Sequence, residues 1–342
     1  MKSLMRESPS LKIVERAART PRLALFIACL LAAPAAYAQI AAAYPNKPIR
    51  WVVPFPPGGS ADIMGRMISQ DLTKTFGQQV VIENRAGASA IVGSEYVAKS
   101  PANGYTLLQC NVSQMTIHPS LYPKLPYDPI RDYAPVTVLG IVTSVVVITP
   151  SLPVNSVKEL VALAKKRPGQ LNFTSSGAGS STHLTGELLK QRAGIDMQHV
   201  SYKGSGPALT DVMGGFVQIM FENVPSALPF IKAGKLKVLA VTGKDRSPIL
   251  GQVPTLAESG FPGFDMVSWQ GLVAPAGTPK PVIDKLNAEI AKVLKTQEMR
   301  DKMASLGTEV VAHSPEQFAQ YIQDETAKWS KIVKAAGIKL EN

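Results

Sequence analysis

The chain has 342 residues, 45% of them apolar, and carries 36 Lys and Arg against 25 Asp and Glu, a formal net charge of +11. That apolar share supports a packed core and excludes a disordered or low-complexity chain. The basic residues are scattered, with no aromatic-rich basic block or finger motif, so they describe a soluble charged surface rather than a nucleic-acid face.

The first residues have the pattern of an export signal. Six Lys and Arg and two Asp and Glu lie between Met1 and Arg22, an apolar core runs from Leu23 to Ala33, and Ala36-Tyr37-Ala38 precedes Gln39. Such a core is too short to anchor a bilayer span, and cleavage is expected after Ala38. Starting at Met5 instead of Met1 changes nothing downstream. Lipidation at Cys29 fits less well, because apolar residues continue past it. Cleavage leaves residues 39–342 with a net charge of +7, a length that suits two domains. Cys110 is then the lone thiol, so no internal disulfide forms and stability rests on the core.

An apolar run from Ile49 to Val53 stops at Pro54-Phe55-Pro56-Pro57, opens into Gly58-Gly59-Ser60 and resumes at helical spacing to Phe76: strand, tight loop, helix. Gln79 to Ile82 is a short β-branched run, Glu83 to Gly87 a loop, and a helix follows to Ser100-Pro101. Asn103-Gly104 turns into a strand from Tyr105 to Gln109, and Asn111 to Tyr122 is a loop with a helical turn. Ala134 to Thr149, rich in Val, Ile and Thr, is long enough to cross between domains. Ser156 to Glu159 is a capping box opening a helix that ends at Pro168-Gly169. Then come a strand at Leu171–Ser175, a Gly/Ser loop at Gly177–Ser181, and a helix from His183 to Ala193. Gly206-Pro207 opens another helix, Phe216 to Phe221 reads as a strand, Ser226 to Ala233 as a helix and Leu236 to Val241 as a strand. After Trp269 to Val273, two amphipathic helices close the chain. One presents Val282, Ile283, Leu286, Ile290 and Leu294; the other, after Ser314-Pro315-Glu316-Gln317, presents Phe318, Ile322, Trp329 and Val333. Strands alternating with helices indicate α/β units around a mostly parallel sheet, in two lobes joined by strands.

Two loops, Gly58-Gly59-Ser60 and Gly177 to Thr182, put small hydroxyl-bearing residues between a strand end and a helix start, where open α/β sheets bind ligands. A helix start carries roughly half a positive charge and unpaired N–H groups, so it holds a carboxylate without an arginine. Either loop alone is an ordinary turn; facing one another across a cleft, they would suit a small carboxylate. A third loop, Val200 to Pro207, adds Tyr202 and Lys203, and Lys203 is either a solvated lysine or a partner for a ligand carboxylate. Glu222-Asn223 either meets a ligand or caps the next helix.

Tyr44-Pro45-Asn46-Lys47-Pro48-Ile49, Pro54 to Asp62, Glu83-Asn84-Arg85, Gly104 to Leu108, Pro119 to Tyr122, Ser175 to Leu184, Tyr202-Lys203-Gly204 and Pro275 to Pro279, taken in order, closely resemble the Bug receptors. These are the periplasmic solute-binding proteins of tripartite tricarboxylate transporters. The resemblance spans essentially the whole mature chain. It implies a two-lobed Venus flytrap fold of the type II periplasmic-binding-protein class, with residues 44–146 and 269–342 in one lobe and 147–268 in the other. It implies a monomeric periplasmic receptor that closes on a small organic acid and presents it to membrane permease subunits. The ligand positions it carries over are Phe55, Gly58, Gly59 and Asp62 in one lobe, Ser176, Gly177, Thr182, His183, Tyr202, Lys203 and Gly204 in or beside the other, and Ser113 near the cleft. The chain departs from the family pattern at Ala86, at Ser89-Ala90-Ile91, at Cys110 and at Glu222, where Asp is common. Glu222 is therefore a further ligand-binding candidate.

Enzyme readings fare worse. No Gly-x-Ser-x-Gly elbow occurs, and Ser180 or Ser181 with His183 lies too close in sequence for a triad, which leaves an exported serine hydrolase as a distant alternative. The four histidines are dispersed and no Cys pair exists, so neither a metal nor a cofactor is expected. Dinucleotide and P-loop fingerprints are missing after the first strand. An orphan sensor that feeds a signalling partner would share the pocket chemistry of a transport receptor.

Overall fold

The structure is a computed structural model and describes residues 44–336. The export signal expected over residues 1–38, with Cys29 inside it, lies outside the described residues. Strand β1 (Ile49–Val53) feeds helix α1 (Ser60–Phe76), whose Ala61, Met64, Ile68 and Leu72 are buried at a spacing of three and four. Strand β2 (Val80–Asn84), helix α2 (Ile91–Ala98) and strand β3 (Thr106–Asn111) follow. A π-helical turn at Ser113–Ile117 then leads into the short helix α3 (His118–Leu121).

Strand β4 (Tyr133–Ile148) is long enough to serve two halves of the sheet. Helix α4 (Val157–Lys166) opens on the expected cap, Ser156 Oγ accepting from Glu159 N at 3.2 Å. Next come β5 (Asn172–Thr174), α5 (Ser181–Ala193), β6 (Gln198–Val200), α6 (Ser205–Met213), β7 (Ile219–Asn223), α7 (Val224–Lys232) and β8 (Lys237–Val241). The chain returns through β9 (Val267–Pro275) and ends with α8 (Lys280–Lys295), α9 (Gln297–Ser305), β10 (Thr308–Val310) and α10 (Pro315–Ala336).

The strands run in the order β2-β1-β3-β9-β4-β7-β5-β6, with β8 and β10 also paired to β4. Parallel pairs, β1 with β2 and β3 at one end and β5 with β6 and β7 at the other, flank antiparallel pairing in the middle. β4 pairs β9 from Tyr133 to Thr143, then β7 from Ser144 to Ile148, so one strand belongs to both halves. Midway, Gly140 is needed for space: a side chain there would stand 2.6 Å from the Glu309 carbonyl of β10.

The closing helices bury the faces that periodicity assigns them. Phe318, Ile322, Trp329 and Val333 of α10 are all within the core, and at roughly 1.5–3 kcal/mol each their burial outweighs any intrinsic helix preference. Ser314 and Gln317 form a reciprocal capping box at the start of α10, with Gln317 N donating to Ser314 Oγ at 3.2 Å and Ser314 N to Gln317 Oε1 at 2.9 Å.

Some expectations shift. The strand expected over Phe216–Phe221 begins only at Ile219, because Gly214-Gly215 turns the chain and leaves Phe216 77% exposed. Three helices rather than two follow β9, with a three-residue strand between the last two. Among the described residues, no helix is long and apolar enough to cross a membrane.

Candidate functional site

Helix α1 begins directly after Gly59, and no side chain caps it. The N–H groups of its first turn are thus left for another acceptor. Asp62, in that turn, is occupied elsewhere. Its Oδ2 accepts from Gly58 N at 3.0 Å, and its Oδ1 accepts from Arg66 Nε at 3.0 Å and Asn84 Nδ2 at 2.9 Å, while Asn84 Nδ2 also donates to the Phe55 carbonyl at 3.0 Å. Burial alone would raise the Asp62 carboxyl, but the bonds from Arg66, Gly58 and Asn84 prevail and hold it below the ordinary carboxylate range. Asp62 therefore shapes the loop. From beneath, Gln109 Nε2 donates to the Ala61 carbonyl at 2.9 Å and Trp51 Nε1 donates to Gln109 Oε1 at 2.9 Å, fixing the helix start on β1 and β3.

Opposite α1 stand the starts of α6 and α7, again without side-chain caps, after Gly204 and Asn223. Gly59, Ser60 and Ala61 from α1, Ser205 from α6, Asn223 from α7 and Ser176 from the β5–α5 loop surround a chamber of about 20 Å³, closed off by Phe55, Pro56, Asn111 and Gln270. That is room for one water-sized group. No lining residue is charged. Phe55 and Ser176 also belong to a wider cleft of about 560 Å³, whose walls are Pro54 and the Gly87–Ala90 loop on one side and Gly177, Ser201, Tyr202, Lys203 and Pro207 on the other.

The two sides touch. Asn223 Nδ2 donates to Ser60 Oγ at 3.3 Å while Asn223 Oδ1 accepts from Ser144 Oγ of β4 at 2.8 Å. Ser181 N donates to Ser113 Oγ at 3.1 Å. Gly204, at φ +143°, adopts a backbone that side chains rarely take, and a Cβ on it would lie 2.8 Å from Pro56 Cδ across the cleft.

The Ser176–Thr182 loop is braced from behind. Ser180 Oγ caps α5 by accepting from His183 N at 3.1 Å, and Thr182 Oγ1 accepts from Ser176 N at 3.1 Å. His183 Nδ1 accepts from Gly179 N at 3.1 Å, and its ring lies 3.9 Å from that of His199, whose Nε2 pairs with Ser175 Oγ at 2.9 Å. Burial above all, with His199 and Lys190 adding to it, lowers His183 to about 3. Burial, followed by Lys190, lowers His199 to about 4. Both rings are neutral supports.

Of the sequence-derived positions, Phe55, Gly59, Ser176, Gly177, Tyr202 and Lys203 line the chamber or the cleft. Gly58, Asp62, Ser113, Thr182, His183, Gly204 and Glu222 stand behind or between these walls. The Tyr202 hydroxyl donates to Asp211, so only its ring faces the cleft; partial burial and that carboxylate push the phenol up to about 12. Lys203 is exposed and has no ion-pair partner among the described residues. Glu222 is fully buried. Its Oε1 accepts from Asn223 N at 2.8 Å and Ser226 Oγ at 2.7 Å, and its Oε2 has no partner. Burial raises this carboxyl in spite of those bonds. Ser60, read in the sequence as part of the first glycine loop, and Asn223, read as a ligand contact or a cap, both line the chamber; Ala61 and Ser205, which line it too, were not singled out. Sequence reasoning had no signal for Asn111 and Gln270, which meet only through the β3–β9 pairing.

The two-part α/β sheet crossed by one long strand is the fold of solved periplasmic binding proteins, and the family that the chain matches is one of substrate-binding receptors, not enzymes. The chain belongs to the family described as the tripartite tricarboxylate transporter family receptor, TctC, which matches residues 64–338. It is 40% identical over 299 residues to protein BugT of Bordetella pertussis, covering 87% of this chain and 92% of BugT. Among solved structures, R. palustris Rpa4515 with adipate has a TM-score of 0.85 and 38% identity, covering 86% of this chain and 99% of that one. MatC (Rpa3494) from Rhodopseudomonas palustris with bound malate has a TM-score of 0.81 and 32% identity, covering 85% and 100%.

Proposed function

We propose that the mature chain is a periplasmic receptor that captures a small organic acid between two lobes and delivers it to the membrane subunits of a tripartite transporter. The observation that carries this reading is the meeting of the α1, α6 and α7 starts, none with a side-chain cap, around a chamber lined by hydroxyls and amides and no charge. Backbone N–H groups and helix dipoles are suited to one oxygen of a carboxylate there. The rest of the ligand extends into the wider cleft, where Lys203 stands ready for a second anionic group. The adipate of Rpa4515 and the malate of MatC support a carboxylate as the ligand class.

In this reading residues 44–146 and 269–342 form one lobe and 147–268 the other, export ends with cleavage after Ala38, and the receptor works as a monomer. Closure follows from differential affinity, since the acid bridges both sides only when they approach. The test is a calorimetric and thermal-shift screen of dicarboxylates, tricarboxylates, amino acids and aromatic acids on the mature protein. Saturable binding of one or more acids is expected. A protein that binds none of them but hydrolyses an ester or amide would refute the receptor.

A further inference from the structure

The loop between β2 and α2 contains an unusual turn. Ala88, Ser89 and Ala90 have φ values of +43°, +51° and +77°, three consecutive residues with a Cβ in the left-handed region. L-residues other than glycine disfavour that region because Cβ crowds the following carbonyl, and they enter it singly, mostly as Asn or Asp. Nothing in the local sequence favours it here, since the residues are two alanines and a serine. The turn brings Ser89 to the cleft wall, where its Oγ donates to the Ala178 carbonyl of the opposite side at 2.7 Å. That carbonyl belongs to the β5–α5 loop. The same hydroxyl stands beside the Tyr122 phenol, whose ionisation it eases against the stronger opposing effect of burial. Neighbouring Gly177 takes a φ of +141°, which favours glycine, and a Cβ on it would only touch Ser89 Oγ at 3.7 Å.

We propose that Ser89 is a positioning residue whose hydroxyl clasps the two sides of the cleft in the closed form, and that the left-handed turn at 88–90 is strained backbone kept in order to aim it. Strained backbone persists where surrounding contacts over-determine it, and such sites cluster at ligand clamps. The clasp rests on the reading of the molecule as a receptor that closes. It adds a bond that is made only on closure and whose donor and acceptor both belong to the protein, so it slows ligand release without choosing among ligands.

The test uses mature protein spin-labelled through Gln70→Cys and Lys158→Cys, both exposed and on opposite sides, with the native Cys110 buried. Distances are read by pulsed dipolar spectroscopy in buffer and in millimolar adipate. Ser89→Ala is expected to lower the ratio of closed to open molecules about two- to tenfold, the worth of one hydrogen bond. Ser89→Gly should lower it by the same factor yet melt about 2–4 °C above Ser89→Ala, because glycine takes a positive φ without strain. An unchanged closed fraction in Ser89→Ala overturns the clasp, and equal melting of the two variants overturns the strain. Sides that stay apart in both buffers while an acid binds in calorimetry also tell against the clasp and leave the receptor standing. Closure that depends on Ser89 with no acid bound supports the clasp and counts against the receptor.

Discussion

The loops before α1 and α5 look alike in sequence, each a strand, a run of glycine and serine, and a helix, yet the structure uses them differently. At α5 the first turn is closed by its own Ser180 and by Ser113 from the other side. At α1 no side chain caps the turn, which opens onto the chamber, and the matching open starts are those of α6 and α7. Ser180 takes one N–H that the glycines before α1 and α6 leave for a ligand, and before α7 the Asn223 oxygen is spent on Ser144 instead of the helix. The α5 loop is thus better described as a wall, held in shape by a neutral histidine pair, and the chamber as the work of the other three helices.

The comparison is broken most severely at Gly204. In Gly204→Val the side chain would meet Pro56 across the cleft, and affinity for the acid found in the screen should fall roughly 10- to 100-fold, measured by calorimetry. A melting curve within a few degrees of the parent shows that the loss comes from blocked closure rather than unfolding.

A second measurement weighs the wall against its support. Both histidines titrate below their ordinary 6.5, so between pH 6.5 and 4 the unfolded chain binds protons that the folded one does not. Stability is therefore complete above about pH 7 and is lost as pH falls through that window, by about 2 kcal/mol per ring at pH 5. Thermal melts across pH should show the decline, and His199→Gln should flatten part of it.

Smaller effects sharpen the roles of charge and amide. Ser205→Ala, inside the chamber, should weaken binding about three- to tenfold at any salt concentration. Lys203→Ala, in the exposed cleft, should weaken it about threefold in dilute buffer and hardly at all in strong salt. A larger loss from Lys203 than from Ser205 in strong salt would return the anion to a side-chain cation.

Smallest is Glu222→Gln. Its folded carboxyl titrates above the ordinary 4.5, so the parent loses stability as pH rises past that value, and the neutral variant does not. The melting temperature of the variant minus that of the parent should grow from pH 5 to pH 8. A constant difference would mean that the carboxyl is not burdened by its burial.

Much of this was legible beforehand, for reasons that particular residues make plain. Ser314, Gln317 and the apolar stripe of α10 announce a helix locally, so periodicity suffices. The strands Gln198–Val200 and Thr308–Val310 are three residues long and exist only through their pairing with β5 and β4, which no local pattern reports. Phe216 looks like a strand residue because it is apolar and precedes Val217, but Gly214-Gly215 decides its backbone. In the site, the glycine loops were visible as breaks between patterns. Asn111 and Gln270 were not, since their meeting depends on the register between β3 and β9, strands far apart in the sequence.

The handover along β4 has a consequence for exchange with solvent. Thr143 pairs with Val267 and the next residue, Ser144, with Asn223, while Thr242 N donates to the Ser144 carbonyl at 2.9 Å. In the proposed receptor the two sides would move about that joint, where the pairing of the strand is continuous from one half of the sheet to the other. The amide protons of Val142–Val147 should therefore be among the slowest in the molecule to be replaced by deuterium, whether the jaws are apart or together. In the proposed receptor the strand that serves as the hinge is then also the part that opens least.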